Sequence, residues 1–326
     1  MKAVVYDEYG PPQVLQVRDV PEPEIGDTDV LVRVRATSIN PLDWYAVTGT
    51  PLITRSGFGL KKPRGARLGA DLAGVVEAVG AGVSRFQPGD EVFGTGKGTL
   101  AELIAVGEDV SIVPKPSNIT FEEASAVPVA GLTALQGLRD KGEVRAGQQV
   151  LINGAAGGVG TFSVQIAKAF DAVVSAVCST RNVDIVRSLG ADRVIDYTAQ
   201  DFTNDAQRYD LVLDIAGSRP WSDMKRVLRP DATVVIIGGP KTSRMFGPLG
   251  HLVGMTVASL PAGQKTTFFI SKENVPDLMT LEEMLESGTI KPVVERSYSL
   301  DQVPEALTYL GTGHVQGKLV ITFPPP

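Results

Sequence analysis

A glycine-rich turn after a short apolar run is the part of this sequence best suited to hold a ligand. The run at 150–153 reads Val-Leu-Ile-Asn, and residues 154–160 then read Gly-Ala-Ala-Gly-Gly-Val-Gly before an amphipathic helical pattern begins. Glycines permit a tight turn and a close approach of the backbone to a pyrophosphate, and the N–H groups of the next helix would face that anion. The pattern predicts a dinucleotide site, although Ala155 replaces the first glycine of the usual fingerprint. The alternative is a turn that binds no ligand. The residues expected to contact the dinucleotide are Ala156, Gly157, Gly158 and Val159.

The residues after the next apolar run indicate which dinucleotide binds. In NAD sites an acidic residue about 20 positions beyond the glycines binds a ribose hydroxyl and repels a phosphate. Here the corresponding segment, after the run 173–178, contains Ser179, Arg181 and Asn182 and no acid. Hydroxyl, guanidinium and amide groups suit the 2′-phosphate of NADPH. NADPH is therefore the expected cofactor, unless Arg181 is only a solvated surface cation.

Several other chemistries lack the residues that they need. The sequence contains no Gly-x-Ser-x-Gly elbow and no Gly-x-x-x-x-Gly-Lys-[Ser/Thr] phosphate loop, which excludes the serine-hydrolase elbow and the P-loop. Cys178 is the single cysteine, so it can form neither an internal disulfide nor a four-cysteine zinc site. The two histidines, His251 and His314, lie too far apart to form a local zinc-ligand pair. We expect no metal site, and we expect both histidines to be structural or exposed.

Length and composition describe the protein that must position these residues. With 326 residues, 43% of them hydrophobic and 21% charged, the chain has enough apolar material for two domains with packed cores. The net charge of -6 disfavours nucleic acid and anionic membrane surfaces as partners. No apolar window of about 18 residues occurs, and an acidic residue, Asp7, precedes any signal-like apolar region. We expect no nucleic-acid partner, no membrane insertion and a cytoplasmic location.

The hydrophobic patterns divide the chain into two kinds of domain. Residues 1–125 contain short β segments separated by Gly and Pro, which favours a compact β-barrel-like domain. From 126 to 264, strands alternate with helical patterns, including a helix at about 158–170, and this predicts a doubly wound parallel sheet. Pro128 is expected to kink a helix. Residues 265–326 contain too few elements for a third domain, so we expect them to return and complete the first one.

Motifs spread over nearly the whole chain match those of one enzyme superfamily. They lie at 1–5, 36–45, 68–80, 88–94, 130–134, 155–160 and 189–192. Together they resemble the medium-chain dehydrogenase/reductase superfamily, in particular its zinc-free branch of quinone oxidoreductases (zeta-crystallin-like) and enoyl reductases. The resemblance implies an α/β protein with a GroES-like β-barrel catalytic domain at 1–125 and 265–326. It implies a Rossmann NADP(H)-binding domain, a doubly wound parallel sheet, at 126–264.

Two positions separate this chain from the zinc-dependent alcohol dehydrogenases of that superfamily. Those enzymes have a Cys where Asn40 stands, and Gly-His-Glu where Gly69, Ala70 and Asp71 stand. The lobe that holds their structural zinc is also missing, because the chain after 88–92 passes directly to the next predicted strand. The resemblance therefore implies hydride transfer without a metal ion.

The resemblance also implies roles for particular residues. Asn40, Asp43 and Tyr45 match the residue types of the quinone-reductase branch. Hydride transfer puts negative charge on a quinone or enone oxygen, so Asn40 and Tyr45 are the expected hydrogen-bond donors to that oxygen. The proton comes from Tyr45 or from solvent. Asp43 either orients its neighbours or acts directly, and Asp71 is expected to tie the barrel through buried hydrogen bonds. The residues implied to border the cofactor are Thr133, Ser179, Arg181, Asn182, Tyr197, Gly238, Gly239 with Pro240, and Lys318; Lys318 could instead be a solvated lysine at a strand edge.

The expected function is zinc-independent, NADPH-dependent reduction of quinones or α,β-unsaturated carbonyl compounds, with the cofactor in a cleft between the domains. Two alternatives remain: a zinc-free NADP-dependent alcohol or carbonyl dehydrogenase, and a non-catalytic NADPH-binding or redox-sensing protein. Residues 47–67 form a basic and apolar loop that either shapes the substrate entrance or is a surface excursion. Candidate lining residues are Trp44, Leu52 and Phe58. The resemblance also implies a homodimer, formed through a sheet edge of the nucleotide-binding domain.

Overall fold

The computed structural model describes residues 1–64, 67–109, 112–239, 249–260 and 263–324. The chain divides into two compact units, one made of Met1–Leu132 with Lys272–Pro326 and the other of Thr133–Ser271. The sequence analysis placed the two boundaries after residues 125 and 264. Within the described ranges, no helix is both long and apolar enough to cross a bilayer.

The elements are as follows. The strands are β1 (Lys2–Val5), β2 (Gln16–Asp19), β3 (Asp29–Ser38), β4 (Asp71–Val79), β5 (Glu91–Thr95), β6 (Leu103–Gly107), β7 (Ile112–Pro114), β8 (Gln149–Asn153), β9 (Val173–Cys178), β10 (Arg193–Asp196), β11 (Tyr209–Asp214), β12 (Leu228–Ile236), β13 (Lys265–Phe268), β14 (Val294–Ser299) and β15 (Lys318–Thr322). The α-helices are α1 (Pro41–Thr48), α2 (Arg55–Phe58), α3 (Phe121–Ser125), α4 (Pro128–Gln136), α5 (Gly158–Ala169), α6 (Val183–Ser188), α7 (Trp221–Met224), α8 (Leu249–Ser259), α9 (Val275–Glu286) and α10 (Val303–Gly311). Short 3-10 turns lie at Pro12–Val14, Leu52–Thr54, Thr180–Asn182, Phe202–Asn204, Lys225–Val227 and Leu300–Gln302, and a π turn lies at Gly137–Lys141.

The first unit is built on a seven-stranded sheet in the order β14-β15-β3-β4-β5-β7, with β6 also paired to β3. Strand β3 follows the predicted alternation, because Val30, Val32 and Val34 are buried while the residues between them are half-buried. Those three valines belong to an apolar cluster between the strands. The C-terminal strand β15 pairs with β3, so the end of the chain joins the seven-stranded sheet of the first unit.

Strand register brings two distant parts of the chain, the starts of β4 and β15, to the end of β3. Strand β15 runs antiparallel to β3 with Val320 opposite Ser38, and β4 runs antiparallel to it with Ala73 opposite Ala36. The first residues of β4 and β15, Asp71 and Lys318, therefore lie beside the point where β3 ends and α1 begins.

The second unit is a six-stranded sheet in which every pair is parallel, in the order β10-β9-β8-β11-β12-β13. This is the doubly wound order in which strands are added first to one side of β8 and then to the other. The order reverses between β8 and β11, and ligands of such sheets bind at the carboxyl ends of the strands at that reversal. The predicted helix at about 158–170 is observed as α5.

Three predicted elements differ from the structure. Pro128 begins the separate helix α4 instead of kinking one long helix, because proline fits the first turn, where its missing N–H would have no acceptor. The helical pattern of residues 221–228 gives only the short helix α7 and a 3-10 turn, since β12 already begins at Leu228. Strand β13 was not predicted: its Lys-Thr-Thr-Phe sequence lacks alternation, and as an edge strand it needs no buried face.

Candidate functional site

A polar network is buried where β3, β4, β15 and α1 come together in the first unit. Its members Asn40, Asp71 and Lys318 are all at most 5% exposed. The Asn40 Nδ2 donates to Asp71 Oδ2 at 2.8 Å, and Lys318 Nζ donates to Asn40 Oδ1 at 2.7 Å and to Asp71 Oδ2 at 3.2 Å. A carboxylate on one side and an ammonium on the other fix the orientation of the amide. The second N–H of Asn40 Nδ2 has no partner in the described part of the chain and is left to bind a ligand.

Asp71 ties the strands together, as the sequence led us to expect. Besides the network bonds, its Oδ2 accepts from Ser38 Oγ at 2.5 Å, and its Oδ1 accepts from the backbone N of Val129 at 2.7 Å. These bonds join the end of β3, the start of β4 and the first turn of α4. Ser38 was not singled out from the sequence, although its position two residues before Asn40 was a usable signal, because side chains alternate along a strand.

Asp43 holds the start of α1. Asn40 is the N-cap residue and Asp43 is the third helical residue; the Asp43 Oδ2 accepts from Asn40 N at 2.8 Å. Its Oδ1 accepts from Gly69 N at 2.9 Å. Gly69 has a φ of +97, and a Cβ there would lie 2.4 Å from Thr99 Oγ1, so the residue must be glycine. The geometry matches the orienting role foreseen for Asp43, and its direct catalytic role stays a prediction.

Burial changes the acidity of Asp43. Loss of hydration, with a smaller contribution from the charge of Asp71, raises its pKa from 3.8 to about 6, against the opposing effect of the two backbone hydrogen bonds and of Lys318. The folded state therefore binds this proton more tightly than the unfolded state does. The stability that Asp43 contributes is fully present below about pH 4 and is lost as the pH rises through about 6.

We expect the Asp43→Asn variant to show this effect, because asparagine does not titrate. The free energy of unfolding of the wild type minus that of Asp43→Asn should fall by about 3 kcal/mol between pH 4 and pH 7. Urea unfolding of both proteins at a series of pH values measures this difference. A difference independent of pH would contradict the raised pKa. Asp90→Asn, at an exposed turn in the same unit, is the control.

Tyr45 lies one turn further along α1 and is half-buried. Its ring packs edge-on against Trp44, with the ring centroids 5.6 Å apart. Its hydroxyl has no hydrogen-bond partner in the described ranges, and burial raises its pKa above the usual 10. The hydroxyl is therefore protonated at neutral pH and can donate. Tyr6, which the sequence did not indicate, donates to Ala46 O at 3.4 Å, and burial raises its pKa to about 12.

The glycine-rich turn of the second unit has the geometry of an anion cradle. A Cβ on Gly160 would lie 2.2 Å from Gly154 O, and Gly154 has a φ of +96, so both positions require glycine. Gly157 is the N-cap of α5, and the first hydrogen bond within the helix runs from Thr161 N to Gly157 O. The N–H groups of Gly158, Val159 and Gly160 precede that bond and have no acceptor within the helix. The turn thus fits a pyrophosphate.

The predicted phosphate-binding residues follow β9, beside the turn's strand β8. Asn182 is buried and its Nδ2 donates to Ser179 Oγ at 3.1 Å, whereas Arg181 is exposed and has no ion pair in the described ranges. The sequence analysis missed Asp196, the last residue of β10, which lies opposite Cys178. Hydrogen bonds from Thr180 and Thr198 lower the pKa of Asp196, so this acid stays ionised near Arg181. Tyr197, the next residue, is exposed.

The other residues expected to contact the cofactor lie after β12, at the start of the second unit and on β15. A Cβ on Gly238 would lie 2.1 Å from Ile215 O, so the chain after β12 passes close to the end of β11. Gly239 follows it, and Pro240 lies outside the described residues. Thr133 Oγ1 donates to Ser271 Oγ at 3.0 Å. For these residues and for Lys318, whose ammonium group is bonded as described above, contact with the cofactor stays a prediction.

A second buried pair at the carboxyl ends of β8 and β11 was also missed. Asn153 Nδ2 donates to Asp214 Oδ1 at 2.7 Å, and Gly217 N donates to the same oxygen at 2.9 Å. His251 Nε2 lies 3.6 Å from Asp214 Oδ2, and His314 is exposed. Both partners end neighbouring strands at the reversal of strand order, and this shared position was the available signal.

The positions that hold zinc in the zinc-dependent enzymes do not fit a metal ion here. Asn40 offers an amide, and the ammonium of Lys318 is already bonded to Asn40 and Asp71. A bound cation at this position would face that ammonium directly. Across the part of the chain that the structure describes, no three His, Cys, Asp or Glu side chains are grouped so that they could hold a metal.

The chain is similar to known families and relatives over nearly its whole length. Residues 26–117 match the family model for the alcohol dehydrogenase GroES-like domain, and residues 189–321 match the model for zinc-binding dehydrogenases. The chain is 34% identical to a 2-methylene-furan-3-one reductase of Solanum lycopersicum, covering 98% of this chain and 79% of the relative. It is 34% identical to an NADPH-dependent alkenal/one oxidoreductase of Arabidopsis thaliana, covering 100% and 80%.

Solved structures show the same fold over the full length. The structure of the quinone oxidoreductase from Coxiella burnetii matches with a TM-score of 0.86 and 29% identity over 99% of both chains. The predicted architecture, a GroES-like domain with a Rossmann domain, is therefore confirmed. The chain belongs to the medium-chain dehydrogenase/reductase superfamily, in its zinc-free quinone oxidoreductase branch.

Proposed function

We propose that the protein is a zinc-independent, NADPH-dependent oxidoreductase that transfers hydride to quinones or α,β-unsaturated carbonyl compounds. The observation that carries the proposal is the Asn40 amide, held between Asp71 and Lys318 with one N–H left for a ligand. The relatives named as a 2-methylene-furan-3-one reductase and an alkenal/one oxidoreductase support an enone substrate, and the latter's name supports NADPH. A relative named quinone-oxidoreductase, 33% identical, supports the quinone.

The chain's contribution is binding and electrostatics. NADPH, when bound, supplies the hydride from C4 of its nicotinamide ring. The N-terminus of α5 would hold its pyrophosphate through the N–H groups of Gly158 and Val159. Asn40 and Tyr45 donate to the acceptor oxygen, which gains negative charge as the hydride arrives. Because the Lys318 ammonium is bonded to the amide oxygen of Asn40, it polarises that amide and strengthens its N–H as a donor.

The first test is turnover of NADPH with a panel of quinones, enones, aldehydes and saturated alcohols, followed by the loss of NADPH absorbance. We expect turnover with quinones or enones, lowered about tenfold in Tyr45→Phe because one donor is lost. Activity with saturated alcohols alone would instead favour a zinc-free alcohol dehydrogenase. Saturable NADPH binding with no turnover on any acceptor would favour a redox-sensing protein.

Arg181 is expected to set the preference for NADPH over NADH. Its exposed guanidinium has no ion pair in the described ranges, whereas nearby Asp196 opposes a phosphate. Arg181→Ala should raise the KM for NADPH about tenfold or more and leave the KM for NADH nearly unchanged, since a charge-assisted hydrogen bond is lost. Arg187→Ala, which removes an exposed arginine paired with Asp184 on α6, is the control. An equal effect on both cofactors would contradict a phosphate contact.

We also propose a homodimer formed through the β13 edge of the second unit. Among the described residues, strand β13 pairs only with β12, which leaves backbone donors and acceptors along its other edge. Phe268 and Ile270 are exposed there. Helix α8, which contacts β13, exposes Val253 and Val257, and Leu260 directly after the helix is also exposed. A second copy of the chain would cover this face. Ile270→Asp should yield monomers in sedimentation experiments, whereas Ile25→Asp, at an exposed site of the first unit, should not.

We propose a cytoplasmic location for the protein. Its single cysteine, Cys178, is free and buried, which suits a reducing compartment. Fractionation of the source cells tests this: recovery with an organelle or with the secreted proteins would contradict it.

A further inference from the structure

The loop after α1 carries a concentration of positive charge. No Asp or Glu lies between Asp43 and Asp71, while the same stretch contains five cations: Arg55, Lys61, Lys62, Arg64 and Arg67. The whole chain carries a net charge of -6, so this segment reverses the sign locally. We use the term basic loop for residues 51–64 of this stretch.

Three of these cations are free to bind a partner. Lys61, Lys62 and Arg64 are exposed, and none has an ion pair within the described residues. Arg55 differs: its Nε donates to Gly49 O at 3.0 Å, and its guanidinium lies 4.5 Å from the centroid of the Tyr9 ring. Arg55 thus fastens the base of the basic loop and leaves the other three charges at its outer end.

Aliphatic side chains are exposed on the same loop. Leu60 is 73% exposed, and Leu52 and Ile53 are also exposed. Arg64 N donates to Phe58 O at 2.6 Å, and Tyr9 Oη donates to Gly59 O at 2.5 Å. These two bonds close a turn that carries Leu60, Lys61 and Lys62. Exposed aliphatic residues beside exposed cations are the combination found in segments that bind anionic membrane surfaces.

We propose that the basic loop docks the protein on the surface of a bilayer that contains anionic lipids. Lys61, Lys62 and Arg64 would bind lipid phosphates, while Leu60, with Leu52 and Ile53, would enter the boundary between headgroups and acyl chains. The net charge of -6 disfavours an anionic membrane for the chain as a whole, but the negative charge lies outside this loop. The same surface would repel the rest of the chain and so orient the protein with the basic loop toward the lipid. A polyanion such as nucleic acid would use the cations but not the aliphatic side chains, so lipid is the better match.

The basic loop adjoins the candidate active site in the chain, so docking of the loop would also affect where that site lies relative to the bilayer. The segment begins after α1, the helix that contains Tyr45 and has Asn40 as its N-cap, and ends at Gly69, whose N–H donates to Asp43. Docking would therefore bring the candidate active site close to substrates dissolved in the bilayer. This consequence rests on the proposed function, whereas the docking itself does not.

The test is co-sedimentation of the full-length protein with vesicles, without substrate. Vesicles of phosphatidylcholine with roughly one third phosphatidylglycerol should bind the protein at low salt, and vesicles of pure phosphatidylcholine should not. The variant K61Q/K62Q/R64Q should lose about 100-fold in the partition coefficient, because each cation contributes roughly a fivefold gain near an anionic surface. I53S/L60S should lose about tenfold, from the lost apolar insertion. The variant K2Q/R145Q/K225Q removes three exposed cations elsewhere and is the matched control.

Three outcomes would overturn the proposal. The first is no binding to the anionic vesicles at low salt, and the second is binding that the control variant weakens as much as the loop variant does. The third is loop-dependent binding to heparin without binding to vesicles, which would assign the loop to a polyanion. The circular-dichroism spectrum of each variant shows that it is folded, and none of these outcomes depends on turnover of NADPH.

Discussion

Asn40→Ala is expected to lower kcat for a quinone or enone by about 100-fold to 1000-fold while leaving the KM for NADPH within about twofold. Among the donors that we assign to the acceptor oxygen, only the N–H of Asn40 is held in place by hydrogen bonds to its own amide group. Loss of one such preoriented donor typically lowers kcat by about 100-fold to 1000-fold. Steady-state kinetics on the best acceptor of the panel measures the effect. Asn118→Ala, which removes an amide bonded to Leu285 O in the same unit, is the matched control and should keep wild-type kcat.

The effect of Asn40→Ala on kcat can be distinguished from its effect on stability. Asn40 is buried, so its loss also leaves Asp71 and Lys318 with one hydrogen bond fewer each. That loss should lower thermal stability modestly. A variant that is folded, binds NADPH normally and retains more than about a tenth of wild-type kcat would remove Asn40 from its proposed role.

Sequence analysis located this site in part. The resemblance to the quinone-reductase branch pointed to Asn40, Asp43 and Tyr45, which stand in one short segment, and the glycine pattern alone pointed to the nucleotide turn. The partner of Asn40 was different, because Lys318 lies 278 residues further along the chain. Only the pairing of β15 with β3 brings them together, and a strand pairing over such a separation leaves no local signal.

Lys318 also shows why exposure is hard to judge from sequence. The sequence allowed a solvated lysine at a strand edge, but β15 is paired on both sides, with β14 and β3. The side chain is 4% exposed, an unusual environment for lysine that requires a buried partner. Asp71 is that partner; buried hydrogen bonds were expected for Asp71 from the sequence, but only the registers of β4 and β15 place it beside Lys318.

The second unit was easier to predict, with one instructive failure. Its inner strands are continuous apolar runs between helical patterns, and these signals fix a parallel sheet. Strand β13, at the edge, is short and polar, so it resembles a loop in the sequence. The predicted boundary after residue 264 therefore fell just before a strand that belongs to this sheet.

The second large effect is expected for Lys318→Met. The substitution keeps the apolar stem but leaves the carboxylate of Asp71 buried beside no cation. Removal of one partner of a buried pair typically costs about 3 kcal/mol or more of the free energy of unfolding. The double variant Lys318→Met with Asp71→Asn should be more stable than Lys318→Met alone, because no uncompensated charge then remains. Urea unfolding of the four proteins of this double-mutant cycle measures the coupling. The exposed pair Arg187 and Asp184 should give a coupling below about 0.5 kcal/mol.

Activity of the same variants distinguishes a positioning role of Lys318 from a purely structural one. If Lys318 acts by fixing and polarising the Asn40 amide, kcat should fall about tenfold to 100-fold in Lys318→Met and should stay low in the double variant, although stability recovers. A purely structural lysine predicts the opposite, because kcat would recover together with stability. Recovery of kcat in the double variant would therefore mean that Lys318 only neutralises the charge of Asp71. The orientation of the Asn40 amide would then not depend on Lys318. A persistent loss with unchanged KM for NADPH would place the positive charge of Lys318 in the machinery that stabilises the acceptor oxygen.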